Sequence, residues 1–137
     1  MPIFRGVDPA DLEALAAVTA EKAYGAGEEI FAHTHPAEAL FVVLIGTVEI
    51  SATGKDLAVV SMGSGQMFGE VAFFRRAAHN ASARARENTR VLCIPFAALD
   101  RLLAERPSLA VAFYRNVATA LAHHLGQIAA QLDRPYF

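Results

Sequence analysis

Two hydrophobic periodicities divide the chain and predict two kinds of secondary structure. In the middle of the chain, short apolar runs alternate with turns that contain glycine or proline, which is the pattern of short β-strands. The predicted strands are residues 30–31, 40–50 with Gly46 as an interruption, 57–61 and 89–94, with predicted turns at 53–56 and 63–65. On either side of this region, apolar residues recur every three or four positions, as on one face of a helix.

Capping signals place the helix boundaries. Asp8 followed by Pro9 is typical of an N-cap and a first helical position, and Gly25 ends the pattern, so we expect a helix to about Ala23. After the strands, residues 95–104 predict a short helix, and Pro107 begins a longer one. One apolar row is predicted to pack this long helix against the strands: Leu109, Phe113, Val117, Leu121, Leu125, Ile128 and Leu132.

The order of these elements predicts one domain that is mainly β with flanking helices. We expect an N-terminal helix in residues 1–24, a double-stranded β-helix (a jelly-roll-like β-roll) in residues 25–95, and C-terminal helices in residues 96–132. The chain has 137 residues, of which 54% are apolar, and this is enough to bury one core.

Composition narrows the class of protein. The longest unbroken apolar run, residues 39–45, is too short for a spanning helix, and the N-terminus lacks the apolar stretch of a secretory signal. Cys93 is the only cysteine, which excludes an intramolecular disulfide and a Cys-based zinc cluster, and we expect it to be a small core residue. We therefore expect a cytoplasmic protein that does not bind a membrane.

Charge is unevenly distributed, although the formal net charge is only −2. Residues 1–60 carry three Lys/Arg and nine Asp/Glu, whereas residues 61–137 carry nine and five. Five arginines lie close together in sequence: Arg75, Arg76, Arg84, Arg86 and Arg90. This excess of positive charge favours an anionic ligand. However, Arg84, Arg86 and Arg90 are all even-numbered positions, which would point to the same face of a strand, and this slightly favours strand arginines that face solvent. A pI of 6.2 argues against a nucleic-acid surface.

Residues 63–74 carry the clearest chemical signal. A glycine-rich turn leads into a predicted one-turn helix that begins near Glu70, and free backbone N–H groups at such a start can hold a phosphate. The Glu70 carboxylate can also accept hydrogen bonds from sugar hydroxyls. About ten residues later, residues 79–82 enter the next strand. Taken alone the signal is weak, because Glu70 can equally serve as a helix cap.

Over nearly its whole length the chain resembles the cyclic nucleotide-binding domain of catabolite-activator-type regulators, kinase regulatory subunits and cyclic-nucleotide-gated channels. The resemblance is carried by Gly27-Glu28-Glu29-Ile30-Phe31, by residues 40–50, by Gly65-Gln66-Met67-Phe68-Gly69-Glu70-Val71-Ala72-Phe73-Phe74, by Ala81-Ser82-Ala83-Arg84-Ala85, by Cys93-Ile94-Pro95-Phe96 and by the long terminal helix. The Phe-Gly-Glu box with its flanks is the most specific of these motifs.

The resemblance implies a phosphate-binding cassette. The backbone of residues 69–72 would meet a cyclic phosphate, and Glu70 would meet the ribose 2′-hydroxyl. The implied nucleotide-binding residues are Phe68, Gly69, Glu70, Val71, Ala72, His79, Asn80, Ala81 and Ser82. The implied ligand is a small phosphorylated molecule, with cyclic AMP and cyclic GMP as candidates, and we expect no bound cofactor.

The chain departs from the family pattern at the position that would contact the phosphate. Matching residues 81–85 to the family strand puts His79 where the family has an arginine. Arginine holds phosphate through two parallel charged bonds, whereas histidine has fewer donors and is mostly neutral at pH 7. Losing such a contact costs about 2–5 kcal/mol, or roughly 30-fold to several thousand-fold in affinity. Arg75 and Arg76 lie in the cassette and are candidates to replace the missing charge.

The expected role is that of a free-standing regulatory sensor rather than an enzyme. Alanines on the long helix leave room for a second helix, which favours a homodimer. Only five residues follow Leu132, so we expect no helix-turn-helix domain and no direct DNA binding. The signal would then pass through shape, dimer contacts or an unidentified protein partner. The competing hypothesis is a protein-interaction module that keeps the fold but has lost the ligand site.

A third hypothesis is a small metal-binding cupin enzyme. Gly27, His33, His35, Glu38 and Gly46 come close to the first cupin motif, because two histidines and a carboxylate can bind a divalent metal. The gap between histidine and glutamate is one residue short, and the second cupin motif is not found in order. The resemblance to the nucleotide-binding family instead places both histidines in an exposed turn before Pro36.

Overall fold

A computed structural model describes residues 1–52 and 59–131. These residues form a single 3-10 turn at Pro2–Phe4, eight strands and four α-helices. In chain order the elements are α1 (Pro9–Val18), β1 (Ala20–Tyr24), β2 (Glu29–Phe31), β3 (Ala39–Ile45), β4 (Val48–Ala52), β5 (Val59–Met62), β6 (Met67–Phe68), α2 (Glu70–Arg75), β7 (Ala81–Ala85), β8 (Thr89–Pro95), α3 (Phe96–Glu105) and α4 (Pro107–Gln131).

The strands form two four-stranded sheets in the order of a jelly roll. The first sheet has the order β1-β8-β3-β6 and the second has the order β2-β7-β4-β5, and the strand pairs are antiparallel. Consecutive strands therefore lie mostly in different sheets, as expected when a long hairpin folds over on itself. The predicted fold class, a β-roll with flanking helices, is confirmed.

The first sheet is the middle of three layers. Along β3, Leu40 and Val42 contact the helices, whereas Phe41 and Val43 face the second sheet. The apolar run of β3 is unbroken because both of its faces are buried. Cys93 lies in the core between the sheets, as predicted, and burial raises the pKa of its thiol.

The predicted N-terminal helix is five residues too long. It ends at Val18, and residues 20–24 form β1, which pairs with β8 from Ala20 opposite Cys93 to Tyr24 opposite Thr89. Local helical propensity in this segment is outweighed by backbone hydrogen bonds to a strand that comes much later in the sequence.

The predicted strand 40–50 is two strands in different sheets. The chain turns at Gly46, whose φ of +106° suits glycine, and the Thr47 N–H donates to Thr89 Oγ1 at 3.3 Å. A lone glycine in a strand predicts a bulge or a close backbone approach, and the structure shows the close approach. A Cβ on Gly46 would lie 2.8 Å from the Asn88 carbonyl oxygen, at the corner where the chain passes from β3 to β4. Of the other predictions, the turn at 53–56 and residues 57 and 58 lie outside the described residues, as does Leu132.

The apolar row of α4 does not pack along its whole length as predicted. Leu109, Phe113 and Val117 are buried, but Leu121 and Leu125 are 47% and 46% exposed. Residues spaced by four rotate about 40° per step around a helix, so the row winds away from the core. Residues 118–127 of α4 are accordingly exposed, apart from the half-buried His124. Within residues 1–52 and 59–131, no helix is both long and apolar enough to span a bilayer.

Two polar contacts tie the N-terminal segment to the C-terminal helices. The buried carboxylate of Asp11 accepts hydrogen bonds from Ser108 Oγ at 2.6 Å and from Arg106 at 3.1 Å, and the Ser108 bond lowers its pKa. Further along α4, the Asn116 side-chain amide donates to the carbonyls of Ile3 and Arg5. The first turn of the chain is thereby fixed against α4.

We expect Gly46→Ala to destabilise the protein by about 3 kcal/mol or more. A Cβ at this position would meet Thr89 Oγ1 and would lie 2.8 Å from the Asn88 carbonyl oxygen. The backbone at Gly46 also has a positive φ, which is strained for alanine. The matched control, Gly126→Ala on α4, meets no atom within 4 Å and should instead raise stability by about 0.5–1 kcal/mol. Urea unfolding of both variants measures the difference. Equal effects would contradict the corner at Gly46.

Candidate functional site

The predicted cassette begins at a glycine that the geometry requires. Gly69 follows β6, has a φ of +83° and is the N-cap of α2. A Cβ at this position would lie 3.4 Å from both the Ala39 carbonyl oxygen and Phe41 Cδ2. The close approach to β3 fixes where α2 starts, and with it the position of Glu70.

A cavity of about 60 Å³ lies between α2, the segment before β7 and the second sheet. Eight of the nine predicted site residues line it: Phe68, Gly69, Glu70, Val71, Ala72, His79, Asn80 and Ala81. Ser82 does not line it, and its Oγ instead accepts a hydrogen bond from the His33 backbone N–H at 3.0 Å. The fold therefore assembles two separate sequence segments around one space, while their role in binding a nucleotide stays a prediction.

Glu70 is the electrostatic anomaly of this cavity. Its Oε2 atom is buried and, among the residues that the structure describes, has no hydrogen-bond partner. Burial raises the pKa of the carboxyl group, since the charged form loses its hydration. A buried carboxylate oxygen without a donor is unfavourable by itself, so a ligand that supplies a donor gains from binding here.

His79 closes the cavity. Its ring stacks on Phe31 with centroids 3.6 Å apart and planes 8° from parallel, and only 7% of the residue is exposed. Its backbone is fixed on both sides, since its N–H donates to the His35 carbonyl and its carbonyl accepts from the Thr34 N–H. Burial, and then the neighbouring His35, lower the pKa of His79, which favours the neutral form of the ring.

The cassette arginines do not supply the missing positive charge in this structure. Arg76 forms a bidentate ion pair with Asp100 of α3, at 2.7 and 2.8 Å, and lies over the Phe73 ring. Arg75 is exposed at the end of α2. Neither lines the cavity, and no other Lys or Arg among the described residues does.

The strand arginines form ion pairs on the protein surface. Arg84, Arg86 and Arg90 are more than half exposed, and each lies 3.5–3.7 Å from a glutamate across the sheet. Their partners are Glu29, Glu49 and Glu21 respectively. All three arginines face solvent, as the sequence slightly favoured. They do not share one strand, because Arg84 lies on β7, Arg86 directly follows β7, and Arg90 lies on β8 in the other sheet.

Sequence reasoning missed the apolar wall of the cavity. Phe31, Ile50 and Met62, from three strands of the second sheet, complete the lining. Their alternation along the strands marks them as inward-facing, but the pattern does not tell a cavity wall from a packed core. Phe31 also stacks with Phe68 at 6.0 Å, which links the wall to the cassette.

The residues of the third hypothesis do not converge. His35 and Glu38 are exposed and His33 is half-buried, in the turn region that the resemblance implies. Within the described ranges, no three His, Cys, Asp or Glu side chains are grouped so that they could hold a metal ion. The metal hypothesis thus gains no support from the geometry.

Comparison with known proteins gives relatives with the same arrangement. A transcriptional regulator of Mycobacterium tuberculosis, described as CRP-like and cAMP-activated, is 28% identical over 122 residues, which are 87% of this chain and 54% of the relative. The chain thus spans about half of that protein. The crystal structure of the Thermus thermophilus catabolite activator protein matches 97% of this chain and 62% of its own, with 26% identity and a TM-score of 0.77.

A second solved structure has nearly the same length. The N-terminal domain of a transcriptional regulator from Streptomyces coelicolor A3(2) is 26% identical, with a TM-score of 0.73, and the match covers 90% of this chain and 91% of that domain. The sequence profile of the cyclic nucleotide-binding domain matches residues 21–106, the segment that contains both sheets and the cassette. On this evidence the chain belongs to the cyclic nucleotide-binding domain family.

Proposed function

We propose that the chain is a regulatory sensor that binds a cyclic nucleotide, cyclic AMP or cyclic GMP, in the cassette cavity, without catalysing a reaction. The observation that carries this proposal is the buried, unpartnered Oε2 of Glu70. A sugar hydroxyl is a neutral donor that would satisfy this oxygen, and the backbone N–H groups around Gly69 lie beside it for a phosphate. Membership of the family supports the same assignment.

Ligand entry requires the cavity to open. Its volume of about 60 Å³ is well below the several hundred Å³ typical of ligand pockets. The stack of His79 on Phe31 occupies the side where the family arginine would reach the phosphate. The bound state must therefore part these two rings, and the ligand selects that arrangement by binding it more tightly.

Aromatic contacts connect the cassette to α4. Phe73 and Phe74, on α2, pack against Phe113 of α4 with ring centroids 6.3 Å apart, and Phe74 also lies 6.2 Å from the Tyr114 ring. A shift of α2 on ligand binding would displace these rings. This contact is the route by which we propose that occupancy reaches the C-terminal helix.

An exposed apolar stripe on α4 favours a homodimer. The stripe consists of Val111, Tyr114, Ala118, Leu121 and Leu125, which are spaced 3, 4, 3 and 4 residues apart. At 100° per residue these positions share an arc of about 80°, and their alternation of three and four is the seam of a two-stranded coiled coil. We propose that a second copy of α4 covers the stripe, since Tyr114 then couples the interface to the cassette.

A second candidate function is a protein-interaction module without a ligand. It is favoured by the closed cavity, which the neutral His79 fills and which no basic residue among the described ones lines. The two functions differ in whether a cyclic nucleotide binds at all.

We expect Glu70→Gln to weaken cyclic nucleotide binding by about 10-fold or more, since hydrogen bonds to a charged acceptor contribute about 1.5–3 kcal/mol. The same change should raise stability at neutral pH. A raised pKa in the folded state means that ionised Glu70 destabilises the folded protein. This destabilisation is absent below the ordinary glutamate pKa and grows as the pH rises from that value through the raised pKa.

Titration calorimetry and urea unfolding at pH 4 and pH 7 measure both effects. The control is Glu13→Gln, at an exposed position of α1, which should change neither quantity. If Glu70→Gln lost stability and left affinity unchanged, Glu70 would be a structural residue rather than a ligand contact.

We expect His79→Arg to strengthen binding of cyclic AMP and cyclic GMP by about 30-fold or more, because arginine adds a bidentate charged contact to the phosphate. The control is His35→Arg, in the exposed neighbouring turn. Calorimetric titration with both nucleotides distinguishes the two candidate functions. Micromolar binding by the unsubstituted chain supports the sensor, whereas silence of both the unsubstituted chain and His79→Arg would favour the interaction module.

We expect Leu121→Glu and Leu125→Glu, combined, to convert the protein to a 14.7 kDa monomer, because each places a charge on the apolar seam. Sedimentation equilibrium reports the mass directly. The control, Gln127→Glu, adds a charge at an exposed position off the seam and should leave the dimer intact. A monomeric unsubstituted protein at high concentration would refute the dimer.

A further inference from the structure

A second cavity, much larger than the cassette cavity, lies on another side of Glu70. Its volume is about 530 Å³, within the range of small-molecule sites. It is bounded by the first residues of the chain, the turn between β5 and β6, and the middle of α4. The cassette cavity, where we propose that the cyclic nucleotide binds, is a separate space, although Glu70 lines both.

One wall of this second cavity is fixed, and apolar side chains line it. Ile3 and Met67 line it beside the N-terminal segment and β6, and Ala120 lines it from α4. The N-terminal wall is held by Asn116, whose amide donates to the Ile3 and Arg5 carbonyls at 2.7 and 2.9 Å. An apolar body placed here would contact a preformed surface rather than have to order a loose segment.

The charge of the lining selects an anion. Arg5 and Arg115 line the cavity, and Glu70 is its one acidic lining residue among those described. The ion pairs found in the described part of the chain involve neither Arg5 nor Arg115. Two guanidinium groups are thus available to a carboxylate or sulfonate at the edge of an apolar pocket.

We propose that this second cavity binds a small organic anion, with a carboxylate or sulfonate at Arg5 and Arg115 and an apolar body between Met67 and Ala120. Because Glu70 lines both cavities, an occupant of the second one adjoins the cassette without entering it. The site thus offers the sensor a second effector whose chemistry differs from that of a nucleotide.

The test is a fluorescence titration with 8-anilinonaphthalene-1-sulfonate, an anionic aromatic probe. We expect saturable binding of one probe per chain at micromolar concentration. Arg5→Gln combined with Arg115→Gln should weaken binding at least 10-fold, whereas the control Arg101→Gln, on α3 outside the lining, should not. Ala120→Phe fills the cavity from α4 and should abolish binding, while His79→Arg should leave it unchanged.

Three results would overturn the proposal. The first is the absence of saturable binding to the unsubstituted protein. The second is equal affinity in the Arg5/Arg115 double variant and in Arg101→Gln. The third is probe binding that appears only as the protein dissociates on dilution, since a second copy of the chain would then occupy the cavity. His79→Arg tests nucleotide binding in the cassette separately, so the proposals for the two sites can be rejected independently of each other.

Discussion

The structure depends on the burial of β3 on both of its faces. Leu40 and Val42 have no exposed surface and face the helices, while Phe41 and Val43 face the second sheet. The same strand borders the cassette, because a Cβ at Gly69 would lie 3.4 Å from the Ala39 carbonyl oxygen and from the Phe41 ring. The φ of +83° at Gly69 favours glycine there. The helical layer, the inter-sheet core and the candidate site therefore share one support.

The site itself works against the stability of the fold. A buried carboxylate oxygen of Glu70 lacks a partner, and His79 is held neutral against Phe31. Burial removes the hydration that would stabilise the charged form of either side chain. Side chains that destabilise the free protein are expected in a binding site, because a ligand can supply the interactions that the free protein lacks.

Much of this organisation could be predicted from the sequence, and the failures have physical causes. The motif around Gly69 and the helices that begin at Pro9 and Pro107 depend on local signals, and the structure contains them. The strand β1 depends on pairing with β8, so a local pattern could not reveal it. Gly46 predicts a bulge or a close backbone approach, but one glycine does not indicate which sheet the chain joins next.

The candidate site shows the same division. The cassette residues were predictable from their motif, but the stack of His79 on Phe31 joins distant segments and was not. The bond of Arg76 to Asp100 is also tertiary, and it removes a cation that the sequence offered to the phosphate. The winding of the α4 row follows from helix geometry alone, and it leaves both the dimer seam and the larger cavity open.

The most direct test of the central claim is the pKa of His79, measured from the pH dependence of its Cε1–H NMR signal with and without cyclic AMP. The account predicts a pKa below the ordinary histidine value in the free protein, because the ring is buried on Phe31. Saturating ligand should raise this pKa, since the phosphate stabilises the charged ring. An ordinary value in the free protein, or one that the nucleotide leaves unchanged, would contradict a site closed by His79.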